Sequence, residues 1–308
     1  MRKDFYYKSK DEKTNIHAIV WEPETQPKLI IQIVHGMCDY AARYEEVALY
    51  FNRAGAIVCA EDHLGHGNSV VDSKHYGYFA DKNSTDILIE DTHELTKIMR
   101  EKYPRTPYFV IGHSMGSFIL RNYLTKYGKE LRGAIIMGTG NISSFKCLYA
   151  KFVTRIIKTF KGGWMYRSRF MYNKTIGNNA KYFEEKNPCC WLTRDYKIIE
   201  KYERDPLCRF RFTLNANYTL FDLIQKSNKK KLIKQIPKNL PILFTSGKDD
   251  PVGNFGKGVE KASKKYIANG LTNIKIKLYN NMRHELFNEL EKELVYGDII
   301  QYINNIIK

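Results

Sequence analysis

The sequence predicts an α/β fold, in which a mostly parallel central sheet is flanked by helices and interrupted by an inserted helical segment. Short apolar runs alternate with longer segments of helical periodicity over the first 140 residues. The alternation then stops for about a hundred residues and resumes near residue 240. A chain of 308 residues that is 43% hydrophobic and 27% charged can bury a core of this size.

The predicted strands lie at residues 29–34, 56–60, 108–112, 133–138, 241–247 and 274–279, and the apolar run at 29–34 reads as a buried strand. Helical spacing fills the intervals, at residues 44–55, 84–103, 115–128 and 256–269 and from about residue 289. Strands that alternate with helices in this way form parallel sheets. We therefore expect one core domain from residues 1–140 and 236–308, with residues 141–235 inserted as a helical lid, or cap.

The composition gives expectations about the cell compartment and about cofactors. The first residues lack an apolar stretch behind their charges, and no uncharged run approaches the ~18 residues of a membrane span. The six cysteines have no metal-ligand spacing, so we expect reduced thiols. We expect a cytoplasmic protein, with peripheral membrane contact as an alternative. No metal or organic cofactor is implied.

A serine lies between two glycines in the stretch Gly112-His113-Ser114-Met115-Gly116. It directly follows a predicted strand and directly precedes a predicted helix, which is the context that makes Gly-x-Ser-x-Gly meaningful. Small residues are needed beside such a serine because the sharp turn crowds the backbone. Ser114 is therefore the candidate nucleophile.

A serine hydroxyl is a weak nucleophile and needs a general base. Of the eight histidines only His284 follows Ser114 in the chain, and it lies just past the last predicted strand. The ends of parallel strands are where sheets of this kind place their chemistry. We expect His284 to be the general base; the alternative is an ordinary surface histidine in a loop.

The base in turn needs a carboxylate that fixes its tautomer and stabilises the imidazolium. Asp249 and Asp250 both follow the predicted strand at 241–247, and the order Ser, Asp, His is the one expected. Only one of the two can point inward. We favour Asp250 and expect Asp249 to be a solvated turn residue.

A tetrahedral intermediate needs two backbone N–H donors for its oxyanion. Met115, directly after the candidate nucleophile, is expected to supply one. Met37, in the loop His35-Gly36-Met37 after the first predicted strand, is expected to supply the other, although this loop could also be an ordinary glycine turn. We expect His35 to hold loop carbonyls in place.

Five stretches together resemble the α/β-hydrolase superfamily, and more narrowly the family of monoacylglycerol lipases and bacterial lysophospholipases. They are HGMCDYAARYEEVALYF (35–51), EDHLGHGNS (61–69), GHSMG (112–116), GKDDPV (247–252) and RHE (283–285). The resemblance implies an α/β-hydrolase fold, supports Asp250 as the acid, and makes Asp62 and His63 scaffold residues near the site. The chain departs from the common GHSMGG at Ser117, where a small serine should fit.

The insertion, residues 141–235, carries most of the positive charge, with 21 Lys and Arg against 7 Asp and Glu, and it holds 17 aromatic residues. Within it, residues 145–161 form an amphipathic pattern with lysine and arginine opposite the apolar side. The apolar side could face the core or the catalytic pocket, or it could dock on an anionic membrane surface. The basic run at 226–234 is expected to be a solvated return segment.

These observations predict a serine hydrolase that cleaves carboxylic esters through an acyl-enzyme, with monoacylglycerol or lysophospholipid-type lipids as substrates. Two alternatives stay open on the same residues: hydrolysis of small soluble esters, peptides or amides, and a non-catalytic binding protein of the same fold. The sequence pI of about 9.4 raises the question of nucleic acid, but no recognised nucleic-acid motif is present. We therefore expect a small-molecule or lipid ester substrate and no nucleic-acid partner.

Overall fold

The computed structural model describes all 308 residues, and its centre is an eight-stranded sheet of order β1-β2-β4-β3-β5-β6-β7-β8. The strands are β1 (Arg2–Lys8), β2 (Asn15–Trp21), β3 (Leu29–Val34), β4 (Ala56–Glu61), β5 (Tyr108–His113), β6 (Gly133–Met137), β7 (Ile242–Gly247) and β8 (Ile274–Tyr279). Strands β3 to β8 are parallel to one another. The predicted fold class is confirmed, and each predicted strand lies within one residue of its observed bounds.

The first two strands were not anticipated from the sequence. β1 pairs antiparallel with β2, and β2 pairs antiparallel with β4. β1 is largely exposed at the edge of the sheet and carries charges along its length, so it lacks the apolar run that identifies a buried strand. β2 is almost entirely buried and was missed although its sequence, NIHAIVW, is apolar.

Ten α-helices surround the sheet. They are α1 (Glu45–Arg53), α2 (Ser84–Lys102), α3 (Met115–Tyr127), α4 (Ser144–Phe160), α5 (Arg169–Tyr172), α6 (Tyr196–Arg204), α7 (Leu214–Ser227), α8 (Lys230–Ile233), α9 (Lys257–Ile267) and α10 (Lys292–Ile307). Residues that alternate along β5 belong to two different apolar clusters: Val110 packs with α2, α3 and α9, whereas Phe109 and Ile111 pack with α1 and α10. The central strands of the sheet are therefore buried on both faces, as in parallel sheets generally, whereas the edge strands β1 and β8 are largely exposed.

The segment between β6 and β7 contains helices and no strand. Within it α4 packs against α7, and α7 packs against α3 of the core. Cys147, Met171 and Phe212 of the insertion belong to the same apolar cluster as the sheet. The division of the chain at residues 141 and 235 stays a prediction. None of the helices combines the length and apolarity needed to cross a bilayer.

Candidate active site

Ser114 occupies the turn between β5 and α3 with φ 54° and ψ −117°, a conformation that is strained for a residue with a side chain. The turn leaves no room beside the serine. A Cβ atom on Gly112 would lie 2.5 Å from the Gly116 carbonyl oxygen, and one on Gly116 would lie 2.0 Å from that of Val34. The two glycines of the motif are therefore required by the close approach of the backbone.

His284 and Asp250 lie side by side in the loops that follow β8 and β7. His284 Nδ1 is 3.0 Å from Asp250 Oδ1, and both side chains are buried. His284 Nδ1 has no other partner in the protein, so the Asp250 carboxylate is the group that can orient the ring through this nitrogen. Asp250 is also held by the Ser246 hydroxyl and the Val252 backbone N–H, each donating over 2.8 Å.

Asp249 has a different environment. Its side chain is half-buried, and its backbone N–H donates to the Met282 carbonyl over 3.0 Å. Its carboxylate makes no ion pair, whereas Asp250 is within contact distance of His284. The geometry thus distinguishes the two neighbouring carboxylates that the sequence left as alternatives.

The charges of the pair support each other. Burial lowers the pKa of His284, but the Asp250 carboxylate, together with the charges of Glu285 and Asp39, outweighs this effect, and the pKa of His284 is raised above its ordinary 6.5. Burial would raise the pKa of Asp250, but the His284 charge and hydrogen bonds from Ser246 and Val252 hold it below its ordinary value. Asp250 is therefore ionised at neutral pH and can stabilise an imidazolium.

The His284 loop contacts the residue next to Ser114. His113 Nε2 lies 3.2 Å from the His284 carbonyl oxygen, and the two rings are 4.9 Å apart between centroids. The Ser114 hydroxyl makes no hydrogen bond to the protein, while the Ser117 hydroxyl donates to the Ser114 carbonyl over 2.6 Å. A free hydroxyl is compatible with a catalytic serine, because the hydrogen bond between nucleophile and base often forms only when substrate binds.

Two backbone N–H groups near Ser114 are free to bind an anion. Met115 is the first residue of α3, and the first N–H groups of a helix have no partner within the helix. The N–H of Met37 donates to no carbonyl oxygen of the protein. Met37 is followed by Cys38 in a left-handed conformation with φ 54°, and it is preceded by Gly36, whose added Cβ would lie 3.1 Å from Ser114 Cβ.

Buried polar side chains hold the loops that carry these groups. His35 Nδ1 lies 2.8 Å from the Gly36 carbonyl oxygen, and its Nε2 accepts from the His63 N–H over 3.0 Å. Asp62 accepts from the backbone N–H groups of Ala41 and Asn68 over 2.7 and 2.8 Å. These residues fix backbone positions around the site.

One set of contacts was not anticipated from the sequence. Arg43 binds the two carboxylate oxygens of Glu285 over 2.8 and 3.2 Å and one oxygen of Asp39 over 2.8 Å. Arg43 and Glu285 are 242 residues apart. Both lie within stretches that resemble the family, but no spacing rule links positions so distant, so the sequence offered no signal for the contact.

The insertion covers the site from two sides. The carbonyl oxygens of Trp191 and Leu192 accept from the backbone N–H groups of His284 and Glu285 over 3.4 and 2.7 Å. On the other side, the Cys38 thiol donates to the Phe210 carbonyl oxygen over 3.2 Å. Residues of the insertion therefore contact both the histidine loop and the loop of Met37.

The candidate site has no arrangement suited to a metal ion. Three or more His, Cys, Asp or Glu side chains do not come together anywhere in the chain in a way that could hold one. All six cysteines are unpaired thiols. The groups available for chemistry are a hydroxyl, an imidazole, a carboxylate and backbone N–H donors.

A parallel sheet with a serine on a strained strand–helix turn, followed along the chain by an aspartate and a histidine after later strands, defines an α/β hydrolase. The chain belongs to the Hydrolase_4 family, described as serine aminopeptidase S33, whose model matches residues 25–291.

Curated relatives cover nearly the whole chain at modest identity. A monoacylglycerol lipase of Mycolicibacterium smegmatis is 25% identical over 289 residues, which are 92% of this chain and 91% of that protein. A monoglyceride lipase homolog of monkeypox virus is 25% identical over 299 residues, 95% of each chain.

Solved structures agree with this assignment. A thermostable carboxyl esterase from Bacillus coagulans in complex with glycerol superposes with a TM-score of 0.92 at 31% identity, covering 100% of this chain and 99% of the other. A soluble variant of the Saccharomyces cerevisiae monoglyceride lipase has a TM-score of 0.77 at 19% identity, covering 98% and 94%, which shows a shared fold.

Proposed function

We propose that this hydrolase cleaves carboxylic esters with Ser114 as nucleophile, His284 as general base and Asp250 as the acid that orients the base. The observation that carries the proposal is the buried contact between Asp250 and His284. The carbonyl oxygen of His284 also contacts His113, the residue that precedes the strained Ser114. The geometry supports these roles because each side chain lies at the carboxyl end of a strand of the same parallel sheet.

In the proposed mechanism His284 Nε2 takes the proton of the Ser114 hydroxyl as its oxygen attacks the ester carbonyl. The N–H groups of Met37 and Met115 stabilise the oxyanion. His284 then gives the proton to the leaving alcohol, and an acyl-enzyme remains. Water attacks the acyl-enzyme by the same route and releases the acid, while Asp250 stays ionised throughout.

We propose monoacylglycerol or lysophospholipid-type esters as the substrates. Relatives that span nearly the whole chain carry the names monoacylglycerol lipase and monoglyceride lipase homolog. The aromatic residues of the insertion supply apolar surface beside the site, with the Trp191 ring 5.0 Å from the His284 ring between centroids. The family description, serine aminopeptidase, keeps amide or peptide hydrolysis as the second candidate.

A fluorophosphonate probe tests the roles of the site residues. We expect the wild-type protein to label at Ser114, and Ser114→Ala to abolish both labelling and ester hydrolysis while the far-UV circular dichroism stays unchanged. Ser117→Ala is the matched control, because Ser117 lies three residues away in the first turn of α3 and should retain labelling. A wild-type protein that does not label would refute the proposed function and favour a non-catalytic binding protein.

A substrate panel separates the candidate activities. We expect p-nitrophenyl esters of medium and long acids, and monoacylglycerols, to be cleaved with a higher kcat/KM than p-nitrophenyl acetate. A preference for acetate would favour the small-ester alternative. Cleavage of aminoacyl p-nitroanilides above all esters would favour a peptidase.

We also propose that α4 docks on an anionic lipid surface. The small residues Cys147 and Thr154 of this helix are buried, whereas its large apolar residues are exposed. Phe145 is 79% exposed and Phe160 is 80% exposed. The exposed apolar set is Phe145, Leu148, Tyr149, Phe152, Ile156 and Phe160. No acidic residue occurs in this helix, and exposed Lys146, Arg155 and Lys161 flank the apolar face. A basic amphipathic helix with an uncovered apolar face matches anionic headgroups over acyl chains.

Vesicle sedimentation tests this surface. We expect the wild-type protein to bind phosphatidylcholine vesicles containing phosphatidylserine more tightly than pure phosphatidylcholine vesicles, and the variant Phe152→Ser/Phe160→Ser to lose about tenfold or more in affinity. Tyr6→Ser is the matched control, because Tyr6 is an exposed aromatic on β1. Equal binding by the double variant and the wild type would refute the docking surface.

A further inference from the structure

Arg43 joins the two loops that flank the nucleophile. It lies in a short 3-10 turn, Ala41–Tyr44, directly after the loop that carries Met37. Its guanidinium binds Asp39 of that loop and the carboxylate of Glu285, the residue that follows His284. The three side chains are 13%, 5% and 6% exposed. A bidentate Arg–carboxylate contact fixes orientation as well as distance.

Each carboxylate is held from a second side. Asp39 accepts from the Tyr44 hydroxyl over 2.7 Å and from the Tyr40 backbone N–H over 2.9 Å. Glu285 accepts from the Asn288 side-chain amide over 2.7 Å. Both ends of the bridge are thus anchored to their own loops, so a shift of the guanidinium would move both loops.

A second connection runs parallel to the first. The Tyr44 hydroxyl lies 3.2 Å from His113 Nδ1, and His113 Nε2 lies 3.2 Å from the His284 carbonyl oxygen. Tyr44 neighbours Arg43 in the same turn. The turn therefore contacts the Met37 loop, the residue before Ser114 and the His284 loop at once.

The insertion covers the guanidinium. The Arg43 Cζ atom lies 5.0 Å from the centroid of the Tyr202 ring in α6, and the Tyr40 hydroxyl donates to Asp205 over 2.6 Å. Water is therefore largely excluded from the bridge, and a charge pair in such surroundings is stronger than one at the surface. A buried ion pair is nevertheless a poor device for stability alone, because the desolvation of its charges offsets most of its attraction.

We propose that Arg43 is a positioning residue, which sets the distance between the oxyanion donor Met37 N–H and the general base His284 by holding Asp39 and Glu285 on one guanidinium. The proposal rests on the catalytic roles proposed above for Met37 and His284. Neither Arg43 nor Glu285 touches the reacting atoms; both act through the loops that they join.

The experiment measures kcat and KM for p-nitrophenyl butyrate and divides kcat by the fraction of enzyme that the fluorophosphonate titrates. The variants are Arg43→Met, Arg43→Lys and Glu285→Gln. A displacement of about 1 Å in a catalytic group can cost about 100-fold in rate, so we expect Arg43→Met to lower kcat per titrated site by about that factor. We expect KM to change much less, and Arg43→Lys to restore part of the loss.

Glu285→Gln keeps the test independent of folding, because glutamine fills the same space and still accepts one hydrogen bond from Arg43. We expect it to lower kcat per titrated site by about tenfold. The matched control is Lys292→Met, which removes a cation that pairs with Glu46 over 2.6 Å and joins α1 to α10 without contacting either loop. Its kcat should stay at the wild-type value.

The outcomes separate this inference from the proposed function. If wild-type enzyme labels and turns over but Arg43→Met and Glu285→Gln keep wild-type kcat per titrated site, and lose only thermal stability, Arg43 is merely structural and the inference is wrong. If wild-type enzyme neither labels nor turns over, the proposed function itself fails.

Discussion

At the scale of single residues, the candidate site depends on which of two adjacent carboxylates is buried. Asp250 is fully buried, paired with His284 and held by two further donors, whereas Asp249 is half-buried. The position of each candidate residue after a strand was readable from the sequence. The orientation of a side chain within a loop was not, because adjacent residues share the same position relative to the strand.

The two aspartates give opposite expectations on substitution. Asp250→Asn should lower kcat/KM by about 10⁴-fold, because an amide no longer stabilises the imidazolium or fixes its tautomer. Asp249→Asn should leave kcat/KM within about twofold of wild type, as surface substitutions away from such features usually have small effects. Steady-state kinetics on p-nitrophenyl butyrate measures both, and the reverse order would assign the acid to Asp249.

The pH dependence of hydrolysis follows from the raised pKa of His284. Only the neutral imidazole can accept the serine proton, so kcat/KM should rise with pH through a midpoint above 6.5. Asp250→Asn removes the charge that raises this pKa, so the residual activity should have its midpoint at lower pH. A pH profile of both proteins checks the sign, and a midpoint that rises in Asp250→Asn would contradict it.

At the scale of elements, five of the six parallel strands were predictable because each is a short, mostly apolar run. β8 was predictable although Lys275 and Lys277 alternate with its apolar residues. The edge strand β1 was not, because its sequence, RKDFYYK, opens with three charged residues and contains no apolar run. The amphipathic pattern of α4 was visible in the sequence, but the sequence did not show whether its apolar face points toward the core or toward solvent. The pattern alone does not say whether a helix is covered by neighbours, and the small residues Cys147 and Thr154 turned out to be its buried ones.

The turn at Ser114 should tolerate no side chain at Gly116. Its Cβ would lie 2.0 Å from the Val34 carbonyl oxygen, so Gly116→Ala must shift backbone and should cost about 1–3 kcal/mol of stability together with most of the activity. Gly297→Ala in α10 is the control, because its Cβ would meet only the Tyr50 hydroxyl at 3.7 Å. It should stabilise by about 0.5–1 kcal/mol, measured by urea unfolding.

At the scale of the whole molecule, one buried arginine joins the insertion to the core. Arg121 of α3 has no exposed surface, and none of its hydrogen-bond partners is a carboxylate. Its N–H groups instead donate to Thr139 and Gly140 after β6, to Ser227 and Asn228 at the end of α7, and to Tyr266 of α9. These partners are 18 to 145 residues away in the chain, so no local sequence pattern predicts the contacts of Arg121.

Arg121→Met should destabilise the folded chain by about 3 kcal/mol, because several buried acceptors would lose their donors. Arg132→Met removes an exposed arginine that donates only to the Ile306 carbonyl oxygen over 3.1 Å, and it should change stability by less than about 0.5 kcal/mol. Urea unfolding followed by tryptophan fluorescence measures both. Equal stability of the two variants would show that Arg121 is not the link described.

Both edge strands of the sheet carry exposed, positively charged side chains. β1 exposes Arg2, Lys3 and Lys8, and β8 exposes Lys275 and Lys277. A second chain that tried to lengthen the sheet at either rim would bring rows of ammonium and guanidinium groups together, which is one way proteins avoid edge-to-edge aggregation. We therefore expect the charged residues that made β1 hard to recognise to oppose strand-to-strand assembly of this chain.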